Sequence, residues 1–190
     1  MFAAQVAEFS KQYRVIAYDH RGQGNSEVKG PYDMDTVALD AVELIRSLVG
    51  GPVHFIGLSM GGFVGMRLAA RHPELIKSLA LLETSANAEP LENLPQYKLL
   101  NGMVRWLGII PPIASKVMKI MFAKSWLADP TQVNSIRHWK KELASNKKSI
   151  IGPVEGVIYR KGVEEELSKI SCPTLVIVGD EDVATTPAKA

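Results

Sequence analysis

Val53-His54-Phe55-Ile56-Gly57-Leu58-Ser59-Met60-Gly61-Gly62 is the stretch on which the fold turns. Val53 to Leu58 is a short apolar run with β-branched and aromatic residues, which reads as a buried strand. The small residues that come next cannot continue a strand, and a helical pattern begins just after Ser59 and runs to His72-Pro73. A strand feeding a helix through a Gly-Ser-Gly turn is the opening half of a βαβ unit.

The same rhythm extends on both sides. Upstream, Tyr13–Asp19 reads as another buried strand, followed by a turn dense in Gly, Asn and Ser over Arg21–Ser26. Residues 34–49 repeat apolar side chains at Val37, Ala41, Leu44, Ile45 and Leu48, the spacing of one helix face. Gly50-Gly51-Pro52 ends that helix. Downstream, Ser78–Glu83 and residues 175–179 read as two more strands. The strands are nearly continuous apolar runs, which predicts burial on both faces in a mostly parallel sheet flanked by helices. Phe2, Val6 and Phe9 give a first helix. Residues 85–168 carry no strand pattern; Ile113, Val117 and Ile120 sit at helical spacing, and the segment reads as a helical insertion between core parts 1–84 and 169–190. The basic residues Arg137, Lys140, Lys141, Lys147 and Lys148, and the acidic Glu164–Glu166, read as solvated faces.

Composition narrows the classes. At 46% hydrophobic and 22% charged, the 190 residues can bury a core and are not disordered. The longest apolar runs, such as Leu107–Ala114, fall well short of the ~18–20 residues a membrane-spanning helix needs. A net charge of +2 spread over both signs gives no reason to expect a nucleic-acid or anionic-membrane partner. Cys172 is the single cysteine and has no internal disulfide partner; with no basic-then-apolar leader at Met1–Val6, the default compartment is the cytoplasm.

Gly57, Ser59 and Gly61 form G-x-S-x-G between a strand and a helix, the context of a nucleophile elbow. So tight a turn forces strained angles on the serine, and Gly57 and Gly61 leave room for it. Gly62 and Gly65 let the helix approach the sheet. Ser59 then projects at the carboxyl end of the sheet and at a helix N-terminus, where free N–H groups stabilise negative charge. The Met60 N–H is the natural oxyanion donor. A serine needs a base and an orienting acid, and Gly179-Asp180-Glu181-Asp182, at the end of the last strand, offers the acid. No cofactor and no metal set is implied.

Three blocks, in order, resemble the α/β-hydrolase superfamily, in its group of esterases, enol-lactonases and cofactor-free haloperoxidase-like proteins. Tyr18-Asp19-His20-Arg21-Gly22-Gln23-Gly24-Asn25-Ser26 resembles the D-x-R-G-x-G-x-S turn. Gly57–Gly62 resembles the elbow. Cys172-Pro173-Thr174-Leu175-Val176-Ile177-Val178-Gly179-Asp180-Glu181-Asp182 resembles the P-T-L-V-I-x-G-x-x-D block that carries the acid. The resemblance implies the α/β-hydrolase fold with 85–168 as a variable helical cap, Ser59 as nucleophile, Asp182 as acid with Glu83 as the alternative, and a small-molecule ester or lactone as substrate. The cap's Trp, Met and Leu residues fit either an apolar acyl pocket or the cap's own core. Ser59 argues against the dehalogenase and epoxide hydrolase branches, which carry Asp at the elbow. C–C bond hydrolases, perhydrolases and a non-catalytic binding protein on the same scaffold remain open.

One part of the family pattern is missing. The family's histidine comes after the acid, beyond another helix and strand, and eight residues come after Asp182, whereas a parallel crossover takes about a dozen. His20 belongs to the turn motif, His54 reads as packed in mid-strand, His72 precedes Pro73 at a helix end, and His138 reads as surface beside Trp139. None is a convincing base. The family's first strands and the loop giving the second oxyanion N–H precede the first helix here. The resemblance therefore implies an incomplete core, truncated at both ends, with no ester turnover by the 190 residues alone.

Overall fold

Asp33 opens the first long helix. Its carboxylate accepts from the Thr36 N–H at 2.8 Å, satisfying one of the donors that every helix start leaves unpaired. In the computed structural model, which describes residues 1–27, 30 and 32–190, this helix is α2 (Met34–Leu48), preceded by the short α1 (Ala3–Phe9). Val37, Ala41, Val42 and Ile45 of α2 are buried on one face, as the periodicity requires. Strand β1 (Val53–Leu58) leads into α3 (Met60–Arg71), and β2 (Ile76–Leu82) comes next. After a helical stretch comes β3 (Thr174–Ile177).

The three strands form one parallel sheet in the order β1-β2-β3. Phe55 stands opposite Leu79 and Gly57 opposite Leu81 in the register of β1 and β2. Helix α3 lies directly on this face, with α2 packed against it. The approach is close: a Cβ on Gly65 would stand 2.9 Å from Leu79 Cδ1. Val64, Leu68 and Leu79 are fully buried at this junction. Each such side chain contributes about 1.5–3 kcal/mol.

Two strand expectations are corrected. Tyr13–Asp19 is not a buried strand: it belongs to no ladder, and Tyr13, Ile16 and Asp19 are exposed. A strand exists through its backbone partners, and among the described residues none runs beside this segment. Nor are the strands buried on both faces. Helices α2 and α3 cover one face, while His54 and Ile56 are exposed on the other and β3 is exposed along its length. The apolar run of β3 therefore presents Leu175, Val176 and Ile177 to solvent.

Between β2 and β3 the chain is helical: α4 (Leu94–Leu107), α5 (Pro111–Met121), α6 (Lys124–Ala128), α7 (Val133–Ser145) and α8 (Ile151–Ile158). Ile113, Ala114 and Met118 form the buried seam of α5. The Phe122 ring stacks on Trp126 at 4.6 Å between centroids and meets Trp139 at 5.8 Å. These residues pack on one another, whereas Trp106 is 83% exposed. Both ends of the stretch are pinned. Val163 N–H donates to the Ala86 carbonyl at 2.8 Å, and Arg160 pairs with Glu89 at 2.9 Å. Glu166 is not a solvated residue: it holds Arg71 through both carboxylate oxygens, at 2.6 and 2.7 Å. Glu164 and Glu165, and the basic residues Arg137, Lys140, Lys141, Lys147 and Lys148, are more open to solvent. No helix among the described residues is long and apolar enough to cross a membrane.

Candidate active site

Parallel strands deliver their carboxyl ends to one side, and the strand order sets the turns leaving those ends side by side. Ser59 succeeds β1, Glu83 succeeds β2, and Gly179–Asp182 lies just beyond β3. Ser59 and Asp182, named from sequence, thus stand at the same edge, with Glu83 on the strand between them.

Ser59 has φ 50° and ψ −110°, a left-handed conformation that a side chain seldom adopts. Such strain costs about 1–3 kcal/mol and persists only where the surroundings impose it. The surroundings are visible. Ser59 N–H donates to the Leu82 carbonyl at 2.9 Å. Its own carbonyl accepts from Thr84 Oγ1 at 2.9 Å, Gly62 N–H at 2.8 Å and Phe63 N–H at 3.2 Å. The serine is thus tied to β2 on one side and α3 on the other, and it is exposed.

The glycines divide. A Cβ on Gly57 would stand 2.2 Å from the Gly61 carbonyl oxygen, and one on Gly62 would stand 2.5 Å from the Thr84 side chain. Both positions need glycine for lack of space. The expectation that Gly61 also leaves room is corrected, because a Cβ there meets nothing within 4 Å. Met60 is buried at the first position of α3, and no backbone carbonyl among the described residues takes its N–H. Its sulfur lies 4.0 Å from Gln23 Nε2 and 3.8 Å from the Tyr32 hydroxyl, which sets the Arg21–Ser26 turn beside the elbow. Within that turn Ser26 Oγ donates to the Asp19 carbonyl at 2.7 Å, and Arg21 forks onto both carboxylate oxygens of Asp40.

At the acid end, Asp182 Oδ1 accepts from the Ala184 and Thr185 N–H groups at 2.7 and 2.9 Å. Glu181 is exposed, yet it is not merely a solvated turn residue: it accepts from Ser125 N–H at 3.0 Å and from the Ser125 hydroxyl. Glu83 does not compete with Asp182 from elsewhere; the two carboxyl groups are neighbours. Glu83 Oε1 accepts from Gly179 N–H at 3.0 Å. The neighbouring Asp182 carboxyl, followed by burial, pushes the Glu83 carboxyl up to about 7. By sequence, Glu83 and Asp182 are alternatives. The strand order that makes them partners is a pairing of distant segments, which no local pattern carries. Thr84, which holds the Ser59 carbonyl, has no sequence signal of its own either.

None of the four histidines hydrogen-bonds to Ser59 or Asp182. His54 is not packed in the core: it is exposed, with Nδ1 2.7 Å from Ser78 Oγ and its ring edge-on to Tyr13. The strand turns it to the uncovered face. His20 meets the Tyr18 ring edge-on at 4.9 Å, and burial lowers its pKa. His72 caps α3 beside Glu74, and His138 is exposed beside Trp139.

A family model described as the alpha/beta hydrolase fold matches residues 1–112. The chain is 31% identical to 3-oxoadipate enol-lactonase 2 of Acinetobacter baylyi, over 99% of its own length and 68% of that relative's. It is 25% identical to a pimeloyl-[acyl-carrier protein] methyl ester esterase of Neisseria meningitidis, over 98% of its length and 72% of that protein's. Among solved structures, an enol-lactonase from Burkholderia xenovorans superposes with a TM-score of 0.88 at 32% identity, covering 99% of this chain and 70% of that one. The strained strand–helix serine, the parallel sheet and these likenesses agree: the chain belongs to the α/β-hydrolase family.

Proposed function

We propose that this chain carries the nucleophile and the acid of a serine hydrolase acting on a carboxylic ester or lactone, with Ser59 as nucleophile, the Met60 N–H as an oxyanion donor and Asp182 as the acid that orients the base. One observation carries the reading. Ser59 holds a strained left-handed backbone at a strand-to-helix turn, exposed, with the first N–H of the helix beside it. Strain of this kind is retained where it positions a reacting group.

In this reading Ser59 Oγ attacks the substrate carbonyl while its proton passes to a histidine base, a role assigned to none of His20, His54, His72 and His138. The carbonyl oxygen becomes an oxyanion, which the Met60 N–H and the start of α3 stabilise. The carbon–oxygen bond breaks, the alkoxide takes the proton from the base, and an acyl-serine remains. With a lactone the leaving alcohol stays tethered to the acyl group. Water, deprotonated by the same base, attacks the acyl-serine and regenerates Ser59. Residues 85–168 serve as a cap, held to the core parts 1–84 and 169–190. The Arg71–Glu166 and Glu181–Ser125 contacts support that arrangement. The substrate class is that of the names of the lactonase and esterase relatives.

The test is labelling by a fluorophosphonate probe, with hydrolysis of p-nitrophenyl esters alongside, on the protein as its gene encodes it. The expected result is one labelled site, lost in Ser59→Ala and slowed in Asp182→Asn. An unlabelled protein, or label retained in Ser59→Ala, overturns the reading and favours a binding protein on the same scaffold.

A further inference from the structure

Glu83 is the one residue besides Ser59 that combines a side chain with a positive φ among the described residues, at 49°. The strain sits where β2 ends, and its effect is to aim the carboxyl at the loop after β3. There Oε1 accepts from the Gly179 N–H at 3.0 Å, while Oε2 is buried with no donor offered to it. A buried carboxylate oxygen with nothing to accept costs several times what an ordinary hydrogen bond contributes. The group in contact with Glu83 is the Asp182 carboxyl. On Asp182, Oδ1 is already committed to the Ala184 and Thr185 N–H groups. Two ionised carboxylates in contact have no proton to share and repel; with one proton between them the contact becomes a strong charge-assisted hydrogen bond.

We propose that Glu83 is the positioning residue for Asp182: from mildly acidic up to near-neutral pH the two carboxyl groups share one proton, and that proton seats the 179–185 loop against the end of β2. Glu83 then touches neither substrate nor base. As a neutral acid it donates toward the Asp182 carboxylate and leaves the negative charge on Asp182, while its other oxygen keeps Gly179 in place. Other groups on the elements around the pair do not supply the missing donor. Glu181 is turned away onto Ser125, and Asp180 is exposed. The turn after β2 offers the neutral Thr84, whose hydroxyl is committed to the Ser59 carbonyl. The upward displacement of the Glu83 carboxyl is what a shared proton produces.

The catalytic meaning of the pair rests on reading Asp182 as the orienting acid, but the proton does not. It is measured on the resting protein, without turnover or probe, so its failure is separate from a failure to label Ser59. Side-chain carboxyl carbons are followed by 13C NMR from pH 4 to 9, with hydrogen exchange of the Ala184 and Thr185 amides recorded in parallel. The expected result is a Glu83 carbon that titrates at least one pH unit above an ordinary glutamate and returns to the ordinary range in Asp182→Asn. Protection of the two amides, corrected for intrinsic exchange, falls at least fivefold as the proton leaves. Glu83→Gln keeps an acceptor for Gly179 and supplies a permanent donor, so protection in that variant stays flat with pH. An ordinary Glu83 titration in the wild type, or a Glu83 carbon indifferent to Asp182→Asn, overturns the proposal. So does a Glu83→Gln variant whose amides lose protection as the wild type does.

Discussion

Gly57 lies so close beneath Gly61 that a single added carbon on Gly57 would stand 2.2 Å from the Gly61 carbonyl oxygen and 2.7 Å from the Gly62 nitrogen. The crowding atoms are backbone, at the start of a helix tied to Ser59, and cannot rotate aside. Gly57→Ala is therefore expected to cost at least about 3 kcal/mol, the upper end for overpacking a tight site. Gly61→Ala is expected to stay within about 0.5 kcal/mol of wild type, because its Cβ faces open space on a helix that favours alanine. Urea midpoints of the two variants check this. Equal losses at both positions would show that the motif needs its glycines for backbone freedom rather than for space.

Arg67 is 2% exposed, yet its guanidinium is fully engaged: with Asp35 at 2.8 Å, the Phe63 carbonyl at 3.0 Å and the Lys161 carbonyl at 2.8 Å. It fastens α3 to α2 and to the chain beyond α8. Arg67→Met keeps the buried stem but removes the donors to Asp35 and to the Lys161 carbonyl, at an expected cost of about 1–3 kcal/mol. Arg71, at the exposed end of the same network, should cost about 1 kcal/mol or less when changed to Met. Denaturation midpoints that rank the two the other way would place the anchor at the surface pair.

The Glu83 carboxyl also sets a pH dependence of stability. Folding raises it from 4.5 to about 7. The folded state therefore binds a proton more tightly than the unfolded chain does. The stabilisation is complete below the unfolded value and drains away as pH rises toward and through the folded one. Relative to Glu83→Gln, the wild type should lose stability steadily between about pH 4.5 and pH 7.5, then level off. Urea titrations of both proteins across that range measure the difference. A gap that widened in favour of the wild type as pH rises would contradict the assignment.

How far the sequence carried the structure depended on whether the signal was local. The elbow was legible because its parts are adjacent in the chain: the apolar run of Val53–Leu58, the serine and the glycines around it. Helix α2 was legible from the spacing of Val37, Ala41 and Ile45. Tyr13–Asp19 has equally good strand composition, but a strand is defined by its neighbours, and composition does not report them. The exposure of His54 is hidden from the sequence for a related reason. Period two assigns alternate residues to opposite faces, yet it does not say which face a helix will cover. The contact of Glu83 with Asp182, distant in the chain, comes from strand order alone.

The histidines yield a prediction of independence. His54 bonds to Ser78 on the uncovered face of the sheet, His72 lies beside Glu74 at the end of α3, and His138 is exposed on α7. If Ser59 reacts with a fluorophosphonate probe, replacing each of these three by Gln should leave the labelling rate within twofold. A tenfold loss in any one of them would identify a base that the geometry leaves remote.

Arg160 ties the two ends of the helical segment together and meets the core at the Phe63 ring, and its worth can be apportioned. The guanidinium pairs with Glu89 at 2.9 Å, donates to the Asn87 carbonyl at 3.0 Å and to the Val157 carbonyl at 2.9 Å, and stands 4.3 Å from the centroid of the Phe63 ring. Its side chain is 7% exposed and that of Glu89 is 12% exposed, so water screens the pair weakly. Removing Arg160 as Met leaves Glu89 buried without its cation and takes the side-chain donor from the Asn87 carbonyl, while the Val157 carbonyl keeps the main-chain N–H of residue 160. Removing the charge of Glu89 as Gln leaves Arg160 with the carbonyls and the ring. The first change should therefore cost more than the second, about 3 kcal/mol against about 1.5. A double-mutant cycle should return a coupling of about 1–2 kcal/mol, since part of each loss is the same broken pair. Additive losses, with no coupling, would mean that the ion pair is incidental and that the carbonyl and ring contacts alone hold the segment down.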